Sequence, residues 1–257
     1  MLACAWALMS SVANSDWTPP RNPDPSAIFH EAQADARAKR YGDALAKHLW
    51  FHENALTYQP SLYGVRLSFA LSAWVSLGQE YPPALQALKE VRDRTGSRIR
   101  GGSGTHSDFH DFSSINEVLH EQAATAALFV WLDQNNARMA DDVYDIAQPA
   151  LIYAKQYRLC GKYINSQETV QSMRRLYREQ LAMVNSGRFG PDIKAYAERS
   201  FTHDASTLVA LLVLNDRGPE ADDIIATVLK DFPDPAFRSQ LQQAREGKIP
   251  PQWPRSE

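Results

Sequence analysis

The densest run of chemically capable side chains in this 257-residue chain is His106-Ser107-Asp108-Phe109-His110-Asp111. Imidazole nitrogens and carboxylate oxygens are ligands preferred by zinc, iron and manganese. On a helix, His106 and His110 would share a face, and so would Asp108 and Asp111. His106, Asp108 and His110 are therefore the candidate metal ligands. His120 and His203-Asp204 are the residues that could complete such a set. The run follows Gly101-Gly102-Ser103-Gly104, a stretch suited to a mobile loop. A plainer role competes with this one, in which Ser107 or Asp108 caps the next helix. The order also departs from the tighter HxHxDH-like pattern of metallohydrolases.

Other residues could serve binding rather than catalysis. His48 and His52 sit four apart in HLWFHE, a spacing that can hold a metal on a helix, but no glutamate follows His48 and the HExxH pattern is absent. Trp50 and Phe51 beside them point to a packed interior. Arg66 falls in an otherwise apolar helical stretch. A charge there must reach a groove, where it could hold a ligand carboxylate, or pair with an internal carboxylate. Asn116 faces a similar choice, with Leu119 and His120 as its helical neighbours. Arg66, Trp74, His110, Asp111, Asn116 and His120 form the candidate ligand-binding set. Arg174, Arg175 and Arg178 make a short basic patch beside Tyr177, offset by Glu168 and Glu179 and read as a solvated face. The chain has no phosphate-binding glycine loop, no GxSxG, no CxxC and no paired Cys/His zinc spacing. No cofactor is expected.

The elements that must position these residues read as helices throughout. Alanine occurs 34 times, against 31 for valine, isoleucine and threonine together, which argues against a β-rich fold. Turn signals recur every 15 to 20 residues from Ala27 onward. Ser26 is the expected N-cap of a first helix over 27–40. A second runs over 43–58 and stops before Pro60, with Ala44, Leu45, His48, Leu49, His52 and Leu56 on one stripe. A single helix is expected over 62–79, another over 82–94, and a glycine-rich loop over 95–108. Helices over 111–122, 124–136, 140–157, 158–164, 168–185, 202–215 and 219–232 follow, with Ser186-Gly187 as the stop after the fifth of these. A capping helix over 236–247 ends the series at Gly247. No segment longer than four residues alternates cleanly, so no sheet is expected.

These pairs resemble tetratricopeptide repeats, whose second helix opens with a tyrosine and a small residue three positions on, and whose unit later carries Ala-Leu and a closing proline. Here Tyr41 and Ala44 match the opening, and Ala55, Leu56 and Pro60 match the close. Tyr81-Pro82-Pro83-Ala84 repeats the opening, Tyr157-Arg158-Leu159-Cys160 places Cys in the small site, and Gly218-Pro219-Glu220-Ala221 is a weaker echo. The pattern serves packing: the small residue lets two helices approach, and the tyrosine fills the adjacent hole. The resemblance covers about residues 27–232. It implies an all-α fold, an α-solenoid of about five hairpins with a C-terminal capping helix, spanning 27–247. It also implies a concave face that binds a protein, peptide or small ligand.

The flanking segments complete the expectations. Residues 1–13 carry an uncharged apolar run ending in Ser11-Val12-Ala13, which fits a secretory signal and an exported, periplasmic or secreted protein. A buried first helix of a cytoplasmic protein is the alternative. Residues 14–26 hold four prolines and read as a linker, and 248–257 as a polar tail. If Cys4 leaves with the signal, Cys160 stands alone as a small buried hydrophobe. The net charge of −3 argues against nucleic acid as a partner, and the apolar run is too short for stable membrane insertion. The chain is expected to be a monomer or homodimer. The leading expectation is thus a non-catalytic binding scaffold; the alternative is a metal-binding protein or hydrolase centred on 106–111.

Overall fold

The computed structural model describes residues 15–185 and 191–252. The expected signal segment at 1–13 and the stop at Ser186-Gly187 lie outside the described residues, as do residues 253–257 of the tail. Among the described residues the chain is all helical, with thirteen α-helices and one 3-10 turn and no strand. Among the described residues no helix is long and apolar enough to cross a membrane. The chain divides into two compact units, 1–147 and 148–257.

The first unit contains α1 (Pro25–Arg37), α2 (Tyr41–Tyr58), a 3-10 turn (Pro60–Leu62), α3 (Tyr63–Leu67), α4 (Phe69–Glu80), α5 (Pro82–Arg100), α6 (His106–Val118), α7 (Gln122–Asn135) and most of α8 (Ala137–Tyr153). Helices adjacent in sequence pack on each other, above all α1 on α2, α4 on α5 and α5 on α6. The core joins Leu45 of α2, Leu71, Trp74 and Leu77 of α4, Leu88 and Val91 of α5 and Ile115 of α6, all buried. Trp74 belongs wholly to this core: it is 1% exposed and its indole N–H donates to the Ala84 carbonyl at 2.8 Å. Its expected place among ligand-binding residues is therefore taken by packing.

Several boundaries differ from those expected. The first helix starts at Pro25, and its N-cap is Asp24, whose carboxylate accepts from the Ser26 and Ala27 amides, rather than Ser26. The segment before it is not a free linker. Ser15 donates to Asp43 at 2.7 Å and Trp17 meets the Trp50 ring edge-on at 6.5 Å. The stretch expected as one helix over 62–79 is broken at Ser68 (φ −127°, ψ −88°). The Ser68 hydroxyl donates to the Gly64 carbonyl at 2.7 Å, the acceptor that an unbroken helix would offer to the Ser68 amide. α5 runs on through Thr95-Gly96-Ser97 to Arg100, so only residues 101–105 remain as loop. Gly96 weakens a helix locally, yet a Cβ there would sit 2.8 Å from the Phe112 ring of α6. Close approach of α5 and α6 thus overrides propensity.

The small residues behave as packing predicts. Ala44 and Ala84 are fully buried, and the Tyr41 and Tyr81 rings stack with centroids 5.7 Å apart. Gly78 lies against α5 so closely that a Cβ would meet the Leu85 Cβ at 2.8 Å.

The second unit contains the end of α8, then α9 (Tyr157–Tyr163), α10 (Ser166–Asn185), α11 (Pro191–Leu214), α12 (Gly218–Asp231) and α13 (Pro235–Arg245). α11 is its centre, packed by α9, α10, α12 and α13. It starts well before the expected 202. Tyr177, Phe201, Phe232 and Phe237 form its aromatic core, with Tyr177 and Phe201 stacked at 4.6 Å. Cys160 is buried. The expected basic patch is largely an ion-pair site, since Arg174 and Arg178 both hold Asp231.

A Gly78→Ala variant should be destabilised. Overpacking costs about 1–3 kcal/mol, against roughly 0.5–1 kcal/mol of helix propensity gained. Urea denaturation should show a lowered midpoint with an unchanged slope; a raised midpoint would mean that α4 and α5 are not in such close contact.

Candidate functional site

The break at Ser68 leaves α3 as a short helix set apart from α4, and α3 packs on α2 and α6. Its Arg66 is only 8% exposed and points inward. A guanidinium buried this far needs nearly all its N–H groups satisfied. Asp111 of α6 accepts two of them side by side, from Nη1 at 2.5 Å and Nη2 at 2.7 Å. Nε donates to the backbone carbonyl of His52 at 2.6 Å, and Nη2 reaches His52 Nε2 at 3.3 Å. The bidentate form fixes the plane of both groups, which a lysine could not do. Three helices, α2, α3 and α6, are thus tied at one point.

This ion pair forms the base of a polar pocket of about 240 Å³, with α2 contributing His52 and Glu53, and α5 contributing Val91, Arg94, Thr95 and Arg98. Arg94 reaches Glu53 across the opening at 3.9 Å, with both side chains about half exposed. Arg98 is held by Asp108 of α6 and donates to the Thr95 hydroxyl at 3.3 Å. The Thr95 hydroxyl in turn donates to the Val91 carbonyl at 2.9 Å.

His52 is the least satisfied member. Arginine offers only donors, so Nε2 can only accept from Arg66, which puts the ring proton on Nδ1. That Nδ1 is buried and has no hydrogen-bond partner. Burial, and then the Arg66 charge, push the His52 pKa down to about 4. His48, one turn earlier, also has an unpartnered buried nitrogen, and burial alone lowers its pKa to about 4. His48 stacks on Trp74 at 5.8 Å and His52 meets the same indole edge-on at 6.0 Å. Both rings are therefore neutral at pH 7.

The candidate residues fall into distinct places. Arg66 and Asp111 come together at the base of the pocket. His110 is half-buried beside them and shares a 2.8 Å hydrogen bond through Nδ1 with the Tyr63 hydroxyl. Burial, followed by the nearby His106, lowers the His110 pKa. Asn116 is fully buried away from the pocket, donating to Thr125 at 3.1 Å and accepting from Arg92 at 3.4 Å. His120 is exposed in the turn after α6, with φ of 57°. Asn116 and His120 therefore do not join the pocket, nor does Trp74.

The expected metal run is not a loop before the helix, and neither Ser107 nor Asp108 is the N-cap, which is Thr105. His106 to Asp111 is the opening of α6, and Asp108 completes a capping box with Thr105. Asp108 Oδ2 accepts from the Thr105 amide and hydroxyl, both at 2.8 Å, while Oδ1 takes Arg98. These bonds hold the Asp108 carboxyl below the usual range even though its burial opposes them. Among the described residues no group of three or more His, Cys, Asp or Glu side chains is placed to hold a metal ion. His203 and Asp204 belong to the second unit, where His203 bonds the Pro251 carbonyl at 3.0 Å.

Glu53, Arg94, Thr95 and Arg98 are pocket residues that the sequence did not single out. A signal existed in the four-residue spacing of Arg94 and Arg98, but it is legible only once 95–100 is known to be helical. No family model matches the chain, and no curated protein sequence or solved structure matches it either.

The neutral histidines make the fold acid-sensitive. With folded pKa values near 4 and an ordinary value of 6.5, the unfolded chain binds more protons than the folded one between these limits. Stability is then complete above pH 6.5 and falls as pH drops toward 4, with a slope approaching about 1.4 kcal/mol per pH unit per ring. Urea titrations from pH 7.5 to 4.5 should show this loss. A His48→Leu/His52→Leu variant should flatten it, and an equally steep loss in the variant would assign the effect to other groups.

Proposed function

We propose that the first unit is a non-catalytic binding domain built of tetratricopeptide-like hairpins, and that its ligand enters the polar pocket between α2, α3, α5 and α6. The observation that carries this reading is the pocket itself. A buried ion pair, the buried His52 and two half-exposed arginines line one cavity. Buried charges are costly unless paired, and an unpartnered buried nitrogen adds a smaller cost of about 1–3 kcal/mol. Val91 is the one apolar side chain in the lining, so a ligand there would be held by polar contacts rather than by burial of apolar surface. The hairpin reading draws support from the Tyr41–Tyr81 stack and the buried Ala44 and Ala84. In that reading the pocket opens on the inner face of an α-solenoid, where a small ligand or the end of a peptide from a protein partner would dock.

A ligand at tenfold its dissociation constant adds about 1.4 kcal/mol, or roughly 3–5 °C in melting temperature for a domain of this size. Calorimetric scans of the full chain against amino acids, short peptides, organic acids and amines should find at least one class that produces such a rise. An Arg66→Met/Asp111→Leu variant replaces the pair by apolar groups of similar size, which often preserves stability. It should fold and lose the ligand effect. A panel without any rise, or a rise that survives in the variant, would overturn the proposal.

A further inference from the structure

We infer that the pocket takes an anion bearing a single carboxylate group, held by Arg94 and Arg98 of α5. The inference rests on the pocket being a ligand site, and it is carried by an unequal count of charges. The lining holds three guanidinium groups, Arg66, Arg94 and Arg98, against two carboxylates, Glu53 and Asp111. His52 is neutral at pH 7 and adds no charge. One positive charge is left over. Asp108, which pairs with Arg98, stands outside the lining. Its charge also serves the Thr105 amide and the positive end of the α6 dipole.

The three arginines differ in how far they are committed. Arg66 gives Nη1 and Nη2 to Asp111 and Nε to the His52 carbonyl, so that pair is closed on itself. Arg98 uses Nε and Nη2 on Asp108 and Thr95, and its Nη1 makes no hydrogen bond among the described residues. Arg94 makes none at all among them. Its one ion pair is with Glu53 at 3.9 Å, beyond hydrogen-bond reach, and both side chains are about half exposed. Such a pair contributes little by itself. An anion does not have to enter between Arg94 and Glu53, because Nη2 alone faces Glu53 and the other donors of Arg94 are uncommitted. Arg94 and Arg98 are one turn apart on α5 and share a face. Guanidinium groups so placed can both donate to one carboxylate through charge-assisted hydrogen bonds.

Other charge types fit less well. A cation would find both Asp111 oxygens taken by Arg66, and Glu53 already beside Arg94. A dianion carries twice the surplus charge and would leave one negative charge uncompensated near Glu53 and Asp111. The His52 ring senses the sign of the local field: beyond the effect of burial, Arg66, Arg94 and Arg98 all oppose its protonation and only Asp111 favours it. A cavity of about 240 Å³ has room for a small hydroxy acid or for the C-terminal end of a peptide.

Isothermal titration of the full chain at low ionic strength tests this with six probes: L-lactate, L-lactamide, ethanolamine, inorganic sulfate, N-acetyl-Gly-Ser-Gly-Ser and the C-terminal amide of that peptide. Saturable one-to-one binding is expected for lactate, which would make the ligand a free acid, or for the peptide acid alone, which would make it a chain end. Both amides, ethanolamine and sulfate should bind about tenfold more weakly or worse. Arg94→Gln and Glu53→Gln alter a half-exposed pair and should keep the melting temperature of the parent. Their effects on the bound carboxylate should have opposite signs: Arg94→Gln weakens binding about tenfold, and Glu53→Gln tightens it about threefold by removing a like charge. An amide or ethanolamine binding as tightly as the carboxylates, unchanged binding in Arg94→Gln, or weaker binding in Glu53→Gln would each overturn the anion site. Sulfate binding as tightly would overturn the carboxylate class. All of these results leave the binding-domain proposal intact, as does silence from all six probes when another class in the calorimetric panel stabilises the protein. Silence in both experiments overturns both.

Discussion

The first unit is organised around the buried pair of Arg66 and Asp111. Removing two charges from water costs several kcal/mol, and only near-complete hydrogen bonding offsets it. Arg66 meets that demand with both carboxylate oxygens of Asp111, the His52 carbonyl and the His52 ring. Each partner lies on a different element, so the pair sets the relative positions of α2, α3 and α6 as no single apolar contact would. The helix break at Ser68 follows the same logic. It separates the short helix that carries Arg66 from α4, which packs Leu71, Trp74 and Leu77 into the core. One visible cost is Phe69, left 72% exposed just after the break.

The pocket follows from that arrangement together with close helix approach. Gly96 lets α5 lie against Phe112 of α6, which brings the Arg94 and Arg98 face of α5 to the opening above the ion pair. Asp108 is used twice, capping α6 and holding Arg98. Helix termination, helix packing and pocket electrostatics therefore share residues, and a substitution in this region acts on more than one of them.

Much of the fold was legible in the sequence because it rests on local signals. The alanine excess, the proline and glycine punctuation and the apolar stripe through Ala44, Leu45, His48 and His52 all lead to helices with the expected buried residues. What could not be read depends on tertiary contact. Thr95-Gly96-Ser97 looks like a loop until Phe112 is placed against it. Ser68 interrupts an apolar run that any periodicity treats as continuous. The site was legible in half. Arg66 and Asp111 stood out as a charge in an apolar stretch and a carboxylate in a polar cluster, but nothing local marks Glu53 or Arg94 as facing them. Asn116 and Trp74 were misplaced for one reason: polar atoms on an inner helix face are satisfied by Thr125 and by the Ala84 carbonyl rather than by a ligand.

The central claim is that Arg66 and Asp111 act as one unit, and a double-mutant cycle measures it directly. Urea denaturation of Arg66→Met, Asp111→Leu and the double variant supplies the three differences from the parent protein. Each single substitution should cost about 3–5 kcal/mol by leaving its partner as an uncompensated buried charge, while the double variant should lie close to the parent. Additive costs, with the double variant losing the sum of the singles, would mean that the two charges are independently solvated and that the pair does not hold the pocket together.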